Sequence, residues 1–385
     1  MVRRIGLACG ALAGGLVVLA WPAGAQPPAG TDYGFVMTRL GAAFYRGDEK
    51  VDCPDGRSHS LREAYMATQS PAERERLVRP ENAKELERKY KIDYVFGPGG
   101  RDICTNPAAF DTPSRELQKT VQSKIGPGMN LDGAAPGGAP APGTCAHDKF
   151  TGPAGEAGVD NQFFRSIGCN TFWRGASTGV GDGLGEFPWT DKPVVVVVRH
   201  VKSWENDPDV EVEIAASPDK AAVGGGKILP GASYSMTDNP HWRVVLKARI
   251  ENGVVITEPG DLAVPVNWVG ATNGEYLLNK ARFRFRRQAD GGLQGQAGGY
   301  RPIDNAIAVL ETGGPGVASA AGVECASVRK TLRVMADGDR DPKTGQCASV
   351  STGLEFAAAP AFVFEHGVLV AGPQKAAKPQ QKAGF

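Results

Sequence analysis

At 385 residues, with 41% apolar and 22% charged residues, the chain is long enough for one large or two modest domains with a sizeable core. Its 51 glycines and 28 prolines stay below the ~25–30% share of a low-complexity chain, so many turns and few long helices are expected. A formal charge of +1 excludes a nucleic-acid binder held by a broad basic field.

Residues 1–25 read as a secretory signal: Arg3 and Arg4 lead, Ile5 to Ala20 is apolar, and Ala23 and Ala25 fit a small-residue cleavage site. The apolar run is short for a bilayer span of ~20 residues, so cleavage and a periplasmic or extracellular address are expected, with no membrane span in the mature chain. Six cysteines then remain, Cys53, Cys104, Cys145, Cys169, Cys325 and Cys347, an even set that reads as disulfides in an oxidising compartment. Pairing sequence neighbours, Cys145 with Cys169 and Cys325 with Cys347, would close loops of about 23 residues, worth on the order of 3 kcal/mol each.

Residues 26–132 are expected to be a helical region. Ser58 or Ser60 can cap Leu61 to Thr68, Ser70-Pro71 opens a second helix, Glu81 to Tyr90 restarts after Pro80, and Ser114 to Ser123 is a further candidate. Residues 133–144, rich in Gly, Pro and Ala, form a linker or a loop inside one domain. From 145 to 370 the period changes to two: Pro193–Val201, Val210–Ala216, Trp242–Ile250, Val254–Thr257 and Tyr276–Arg287 read as strands. Asn252-Gly253, Asn273-Gly274 and Asp290-Gly291-Gly292 supply turns. Cys325 to Met335 is a predicted helix, and residues 371–385 form a frayed tail. The expected fold is mainly β with a helical N-terminal part, a disulfide-linked antiparallel β-sandwich of jelly-roll type.

Candidate chemistry is sparse. Asn130, Asp132, Asp148, Asp160 and Asn161 gather hard oxygen donors that suit Ca²⁺, the one candidate cation in a chain that otherwise requires no cofactor. Neither Gly128–Gly133 nor the Asp337-Gly-Asp339-Arg-Asp341 run completes a calcium loop. Cys145-x-His147 with Cys169 has zinc-binding composition, but an oxidising compartment favours disulfides. Gly175-Ala-Ser177-Thr-Gly179 lacks the helix that a nucleophile elbow requires, and Gly224-Gly-Gly-Lys227 reads as a hairpin turn. The five histidines lie far apart in sequence.

Two stripes on predicted strands carry the functional alternatives. Glu211 and Glu213 share one strand face about 7 Å apart, a spacing at which carboxylates can serve sugar hydrolysis. The run is similar to the E-x-D-x-x-E strand of laminarinase-like glycosidases, although Glu213 replaces the Asp and Ala216 the last Glu. Lys280, Arg282, Arg284 and Arg286 alternate with Ala281, Phe283 and Phe285, an outward cationic row that could hold an anionic glycan or neutralise the acidic stripe.

Asn130-Leu-Asp-Gly133, Cys145-Ala-His-Asp-Lys-Phe150, Gly158-Val-Asp-Asn-Gln162 and Ile167-Gly-Cys169, with Cys325 and the Asp337–Cys347 segment, together resemble a family of exported bacterial proteins of uncharacterised function. The resemblance covers about two thirds of the chain and implies no activity. The expected function is therefore non-enzymatic binding of an envelope or extracellular ligand, an anionic polysaccharide or an envelope protein. A jelly-roll glycoside hydrolase and a structural partner protein are the alternatives.

Overall fold

The computed structural model describes residues 30–58, 60–96, 117–170, 192–268, 272–308 and 324–373, with Asn106 and Arg174. The first element, β1 (Thr31–Ala42), is a strand in the stretch expected to be helical. Short helices follow among the described residues: α1 (Glu49–Asp52), α2 (Leu61–Ala67), α3 (Pro71–Leu77), α4 (Ala83–Arg88) and α5 (Gln162–Ile167). Strands β2 (Val194–Val201), β3 (Asp207–Ala216), β4 (Val223–Gly224), β5 (Lys227–Ile228), β6 (Ser233–Ser235), β7 (Arg243–Glu251) and β8 (Val254–Thr257) come next. They are succeeded by β9 (Gly260–Trp268), β10 (Thr272–Arg287) and β11 (Leu293–Pro302). Helix α6 (Cys325–Val334) then precedes β12 (Gly338–Arg340), β13 (Cys347–Pro360), β14 (Phe362–Glu365) and β15 (Val368–Ala371).

The main sheet closes on itself. Its order is β1-β2-β3-β7-β8-β10-β11-β13, all antiparallel, and β13 returns to pair with β1. Strand β9 extends the N-terminal half of β10, and β12 extends β13. The expected two-layer sandwich is thus replaced by an eight-stranded barrel-like sheet. The correction lies in β1, β11 and β13. The last two are rich in Gly, Ser and Ala and carry little alternating signal, yet they bridge β10 back to β1 and remove the free edges of a sandwich.

The barrel interior is filled by side chains including Phe35, Val196, Val212, Leu246, Phe283 and Phe356. Val194 to Val198 is buried on both faces, because Val195 and Val197 point outward under a second sheet, β15-β14-β6, together with Tyr234, Met236 and Val363. Burying each such valine contributes roughly 1.5 kcal/mol or more.

The helices largely begin at the predicted caps. Ser60 and Glu63 form a reciprocal capping box on α2, and Ser70 caps α3 with Pro71 in its first turn. Residues 117–123 are not helical. Helix α6 packs its buried face, including Val328 and Leu332, against Ile303, Ile307 and Val350. The β4–β5 hairpin turns at Gly225 and Gly226, both at positive φ, as the glycine run implied.

The disulfides do not join sequence neighbours. Cys53 bonds Cys169 and Cys145 bonds Cys347; Cys325 is also disulfide-bonded, and Cys104 lies outside the described residues. Loop-length reasoning favoured near partners, but the fold brings together residues 116 and 202 positions apart. Residues 133–143 form an exposed loop whose two ends, at Leu131 and Thr144, are both anchored beside β12 and β11.

Candidate functional site

Strand β10 contains a bulge that sets the site. Tyr276 and Leu278 face the core, and beyond Asn279–Lys280 the parity switches to Ala281, Phe283 and Phe285. Lys280 absorbs the extra residue at φ 52°, the left-handed region that non-glycine residues rarely occupy. Beside it Asp339, also left-handed at φ 51°, accepts a 2.7 Å hydrogen bond from Asn279 Nδ2. Strained residues cluster where the surroundings over-determine them, often at functional sites.

The outward row behaves as two halves. Arg284 is ion-paired with Glu156 and donates to Gln296 Oε1 at 2.9 Å, and Arg286 donates to the Asn252 carbonyl at 2.9 Å. Lys280 and Arg282 have no carboxylate partner among the described residues. The Lys280 ammonium lies 5.7 Å from the Tyr300 ring centroid, and Arg282 Nε is buried without a hydrogen-bond partner.

Next to this pair, residues 127–131 and Asn161 lie against the outer face of β11 and β13. Two glycines permit the approach: a Cβ on Gly353 would sit 2.9 Å from Gly128 Cα, and one on Gly298 would sit 3.1 Å from Leu131 Cδ2. The segment folds back through paired bridges, Met129 with Asp160, Phe150 with Val159 and Thr144 with Gly338. These contacts enclose a continuous chain of charges. Lys149 Nζ lies 2.6 Å from Asp132 Oδ1 and 2.5 Å from Asp160 Oδ1. His147 Nε2 lies 2.8 Å from the same Asp160 oxygen and 3.5 Å from Asp337 Oδ2. The Asp160 and Asp337 side chains are fully buried, and that of His147 is 8% exposed.

His147 Nδ1 faces the Cys145 carbonyl at 3.0 Å, an oxygen that only accepts, so this nitrogen carries a proton. With Nε2 between two carboxylates, the ring is held as an imidazolium. Burial alone would lower its pKa, but Asp160, Asp337 and the Cys145 carbonyl outweigh it and raise the value. Asp160 is the reverse: burial would raise it, and His147, Lys149 and the Leu131 N–H hold it below the usual carboxylate range. For Asp337 burial prevails over His147 and the Ser351 N–H, pushing the carboxyl up to about 6. The buried Tyr300 hydroxyl is raised by desolvation and then by the charges of Asp337, Asp160 and Asp132.

The cluster has unused hydrogen-bonding capacity. Asp132 Oδ2, Asp337 Oδ2, Ser349 Oγ, Tyr300 Oη and Arg282 Nε are all buried without a hydrogen-bond partner. Each such group costs about 1–3 kcal/mol, so the arrangement is not one that maximises stability.

The Ca²⁺ donor set is only partly assembled. Asp132 and Asp160 do converge, but the Lys149 ammonium stands between them. Asn161 caps α5 through Phe164 N–H and donates to the Pro127 carbonyl; Asn130 closes a turn through Gly133 and Ala134; Asp148 is exposed. Among the described residues, no group of three or more His, Cys, Asp or Glu is arranged to hold a metal ion. Asp337, Asp339 and Asp341 also diverge, toward His147, Asn279 and the turn at Lys343–Thr344.

Glu211 and Glu213 do share an outward face, but not as a free pair. Glu213 is 1% exposed and both its oxygens are taken, one by Arg199 and the other by Arg243. Arg199 continues to Asp32 at 3.1 Å and Arg243 to Glu365 at 2.7 Å. Glu211 sits beside Arg199 and Lys247 in the cross-strand register. The basic partners of the acidic stripe are therefore on β2 and β7, not on β10, and neither Glu213 oxygen is open to a glycosidic bond. Ser177 lies outside the described residues.

Compared with family models, curated proteins and solved structures, the chain matches none. Sequence reasoning reached Asp132, Asp160, Lys280 and Arg282, but missed His147 and Lys149 as the cations of the cluster. The available signal was their place within Cys145–Phe150, the segment already singled out for its Asp and Cys. Tyr300 has no distinguishing sequence context.

Proposed function

We propose that the protein is an exported, non-enzymatic binding protein that takes an acidic polysaccharide on the outer face of the barrel at Lys280 and Arg282. The leader-like N-terminus and the disulfides support export. The observation that carries the binding reading is the contrast along one strand: Arg284 and Arg286 are engaged, while the two cations at the bulge are not. A guanidinium with a buried, unpartnered N–H beside an uncompensated ammonium suits a carboxylate-bearing polymer. Catalysis by the Glu211–Glu213 stripe is disfavoured because Glu213 is doubly ion-paired.

The test is titration calorimetry with polygalacturonate. Binding is expected to weaken as salt rises, because exposed charges are screened beyond about 8 Å at physiological ionic strength. The double variant Lys280→Glu, Arg282→Glu should weaken binding of the polymer at least tenfold, whereas Arg286→Glu should leave most of it. Equal affinity in the double variant, or release of sugar from the polymer, would sink the proposal.

A further inference from the structure

A separate groove opens on another part of the surface, between the C-terminal half of α6 and the turn joining β12 to β13. Its volume is about 700 Å³, within the ~300–1,000 Å³ range of small-molecule sites. One wall is α6, where Lys330 and Arg333 stand one turn apart on a shared face. Arg333 is exposed, and its side chain has no ion pair or hydrogen bond among the described residues. The adjoining Val334 is 60% exposed, a large apolar side chain left in the open.

The facing wall is preorganised. Asp341 Oδ1 accepts from the N–H groups of Lys343 at 2.7 Å and Thr344 at 3.2 Å, and Asp341 N–H donates to the Gln346 carbonyl at 2.8 Å. Arg340 Nε donates to the Gly345 carbonyl at 3.2 Å, and the Cys145–Cys347 disulfide ties the end of the turn down. A rigid wall avoids much of the ordering cost of binding. Asp341, Thr344 and Gln346 line this side of the groove, the Thr344 hydroxyl accepting from the Gln346 N–H at 3.3 Å, and Asp304, paired with Arg329, also lines it.

We propose that this groove is a binding site for a uronic acid or a short acidic oligosaccharide. Arg333 receives the carboxylate, Gln346 and Asp341 receive ring hydroxyls, and Val334 supports the C–H face of the sugar. This site goes beyond the polymer-binding face and is built from none of its residues.

The experiment is a titration of the full chain with glucuronate and galacturonate, followed by NMR and calorimetry, with glucose as the neutral control. Saturable binding of either uronate is expected, with at least tenfold weaker affinity for glucose. Arg333→Glu and Gln346→Ala should each weaken uronate binding at least tenfold with an unchanged melting transition, and Arg333→Lys should retain part of it. Lys280→Glu, Arg282→Glu should leave uronate binding intact, so loss of polymer binding and loss of monosaccharide binding separate the two sites. Absence of saturation up to about 10 mM, weaker than the affinity a useful site requires, would overturn the inference. So would uronate binding that survives both Arg333→Glu and Gln346→Ala, or that is lost with Lys280 and Arg282.

Discussion

Two buried charge clusters sit on the outer wall of the same barrel and are finished to different degrees. Under the small sheet, Asp32, Arg199, Glu213, Arg243 and Glu365 form a line in which each buried Glu213 oxygen meets a guanidinium. Around residues 127–160, Asp132, Lys149, Asp160, His147 and Asp337 form a second line, but buried oxygens of Asp132 and Asp337 and the Tyr300 hydroxyl lack a hydrogen-bond partner. The first cluster locks β2, β3, β7 and β14 together. The second retains polar capacity that the fold alone does not use, and it adjoins Lys280 and Arg282, the two row cations whose side chains have neither an ion pair nor a hydrogen bond among the described residues.

The largest way to sharpen this contrast is to remove the centre of the finished cluster. Glu213→Ala should cost about 3 kcal/mol, the low end for breaking a buried pair, since Arg243 is 27% exposed and water can partly replace the carboxylate. Urea unfolding would measure it, with Glu211→Ala changing stability by less than about 0.5 kcal/mol. Equal effects at the two positions would refute the structural assignment of Glu213. Next, Cys145→Ser with Cys347→Ser should cost about 2–4 kcal/mol and should loosen the segment carrying His147, since Cys145 N–H bonds the Asp337 carbonyl at 2.9 Å. Hydrogen exchange faster around Cys53–Cys169 than around 145–149 would contradict that expectation.

The unfinished cluster should also bend the pH dependence of stability. Asp337 binds its proton more tightly folded than unfolded, so its contribution is fully present below the ordinary value of 3.8 and is lost as pH rises through about 6. That loss is on the order of 2–3 kcal/mol at most. His147 has the same sign at higher pH: its contribution holds below 6.5 and fades as pH rises through its elevated folded value. Asp160 opposes both, its contribution being lost only as pH falls below 3.8 through a still lower value. Stability should therefore decline from mildly acidic toward alkaline pH. Asp337→Asn should flatten the decline between pH 4 and 6, and an unchanged slope in that variant would remove Asp337 as its source.

Much of the β framework was legible because β3, β7 and the second half of β10 alternate apolar and polar residues on a half-buried surface, while β2 and β8 are short runs of β-branched apolar residues. The bulge was missed, since Tyr276–Arg287 reads as one strand, although even-numbered apolar Tyr276 and Leu278 give way there to odd-numbered Phe283 and Phe285. Closure was not legible. It depends on β11 and β13, where Gly298 and Gly353 serve the close approach of residues 127–131 instead of filling a core. The cysteine pairing escaped because chain entropy ranks loops by length, whereas the barrel decides which ends meet. At the site, oxygen donors suggested an external cation, and the cation proved to be Lys149 from the same segment.

The binding face is tested most directly by mapping it. In an Arg333→Glu background, which removes the central cation of the α6 groove, amide shifts would be followed by NMR during titration with a short oligogalacturonate at low salt. The account predicts changes concentrated at Asn279–Arg282, Gly143 and Tyr300, with Arg286 and the Glu211–Glu213 strand unmoved. Shifts centred on β3, or none at Lys280 and Arg282 while the sugar still binds, would contradict it.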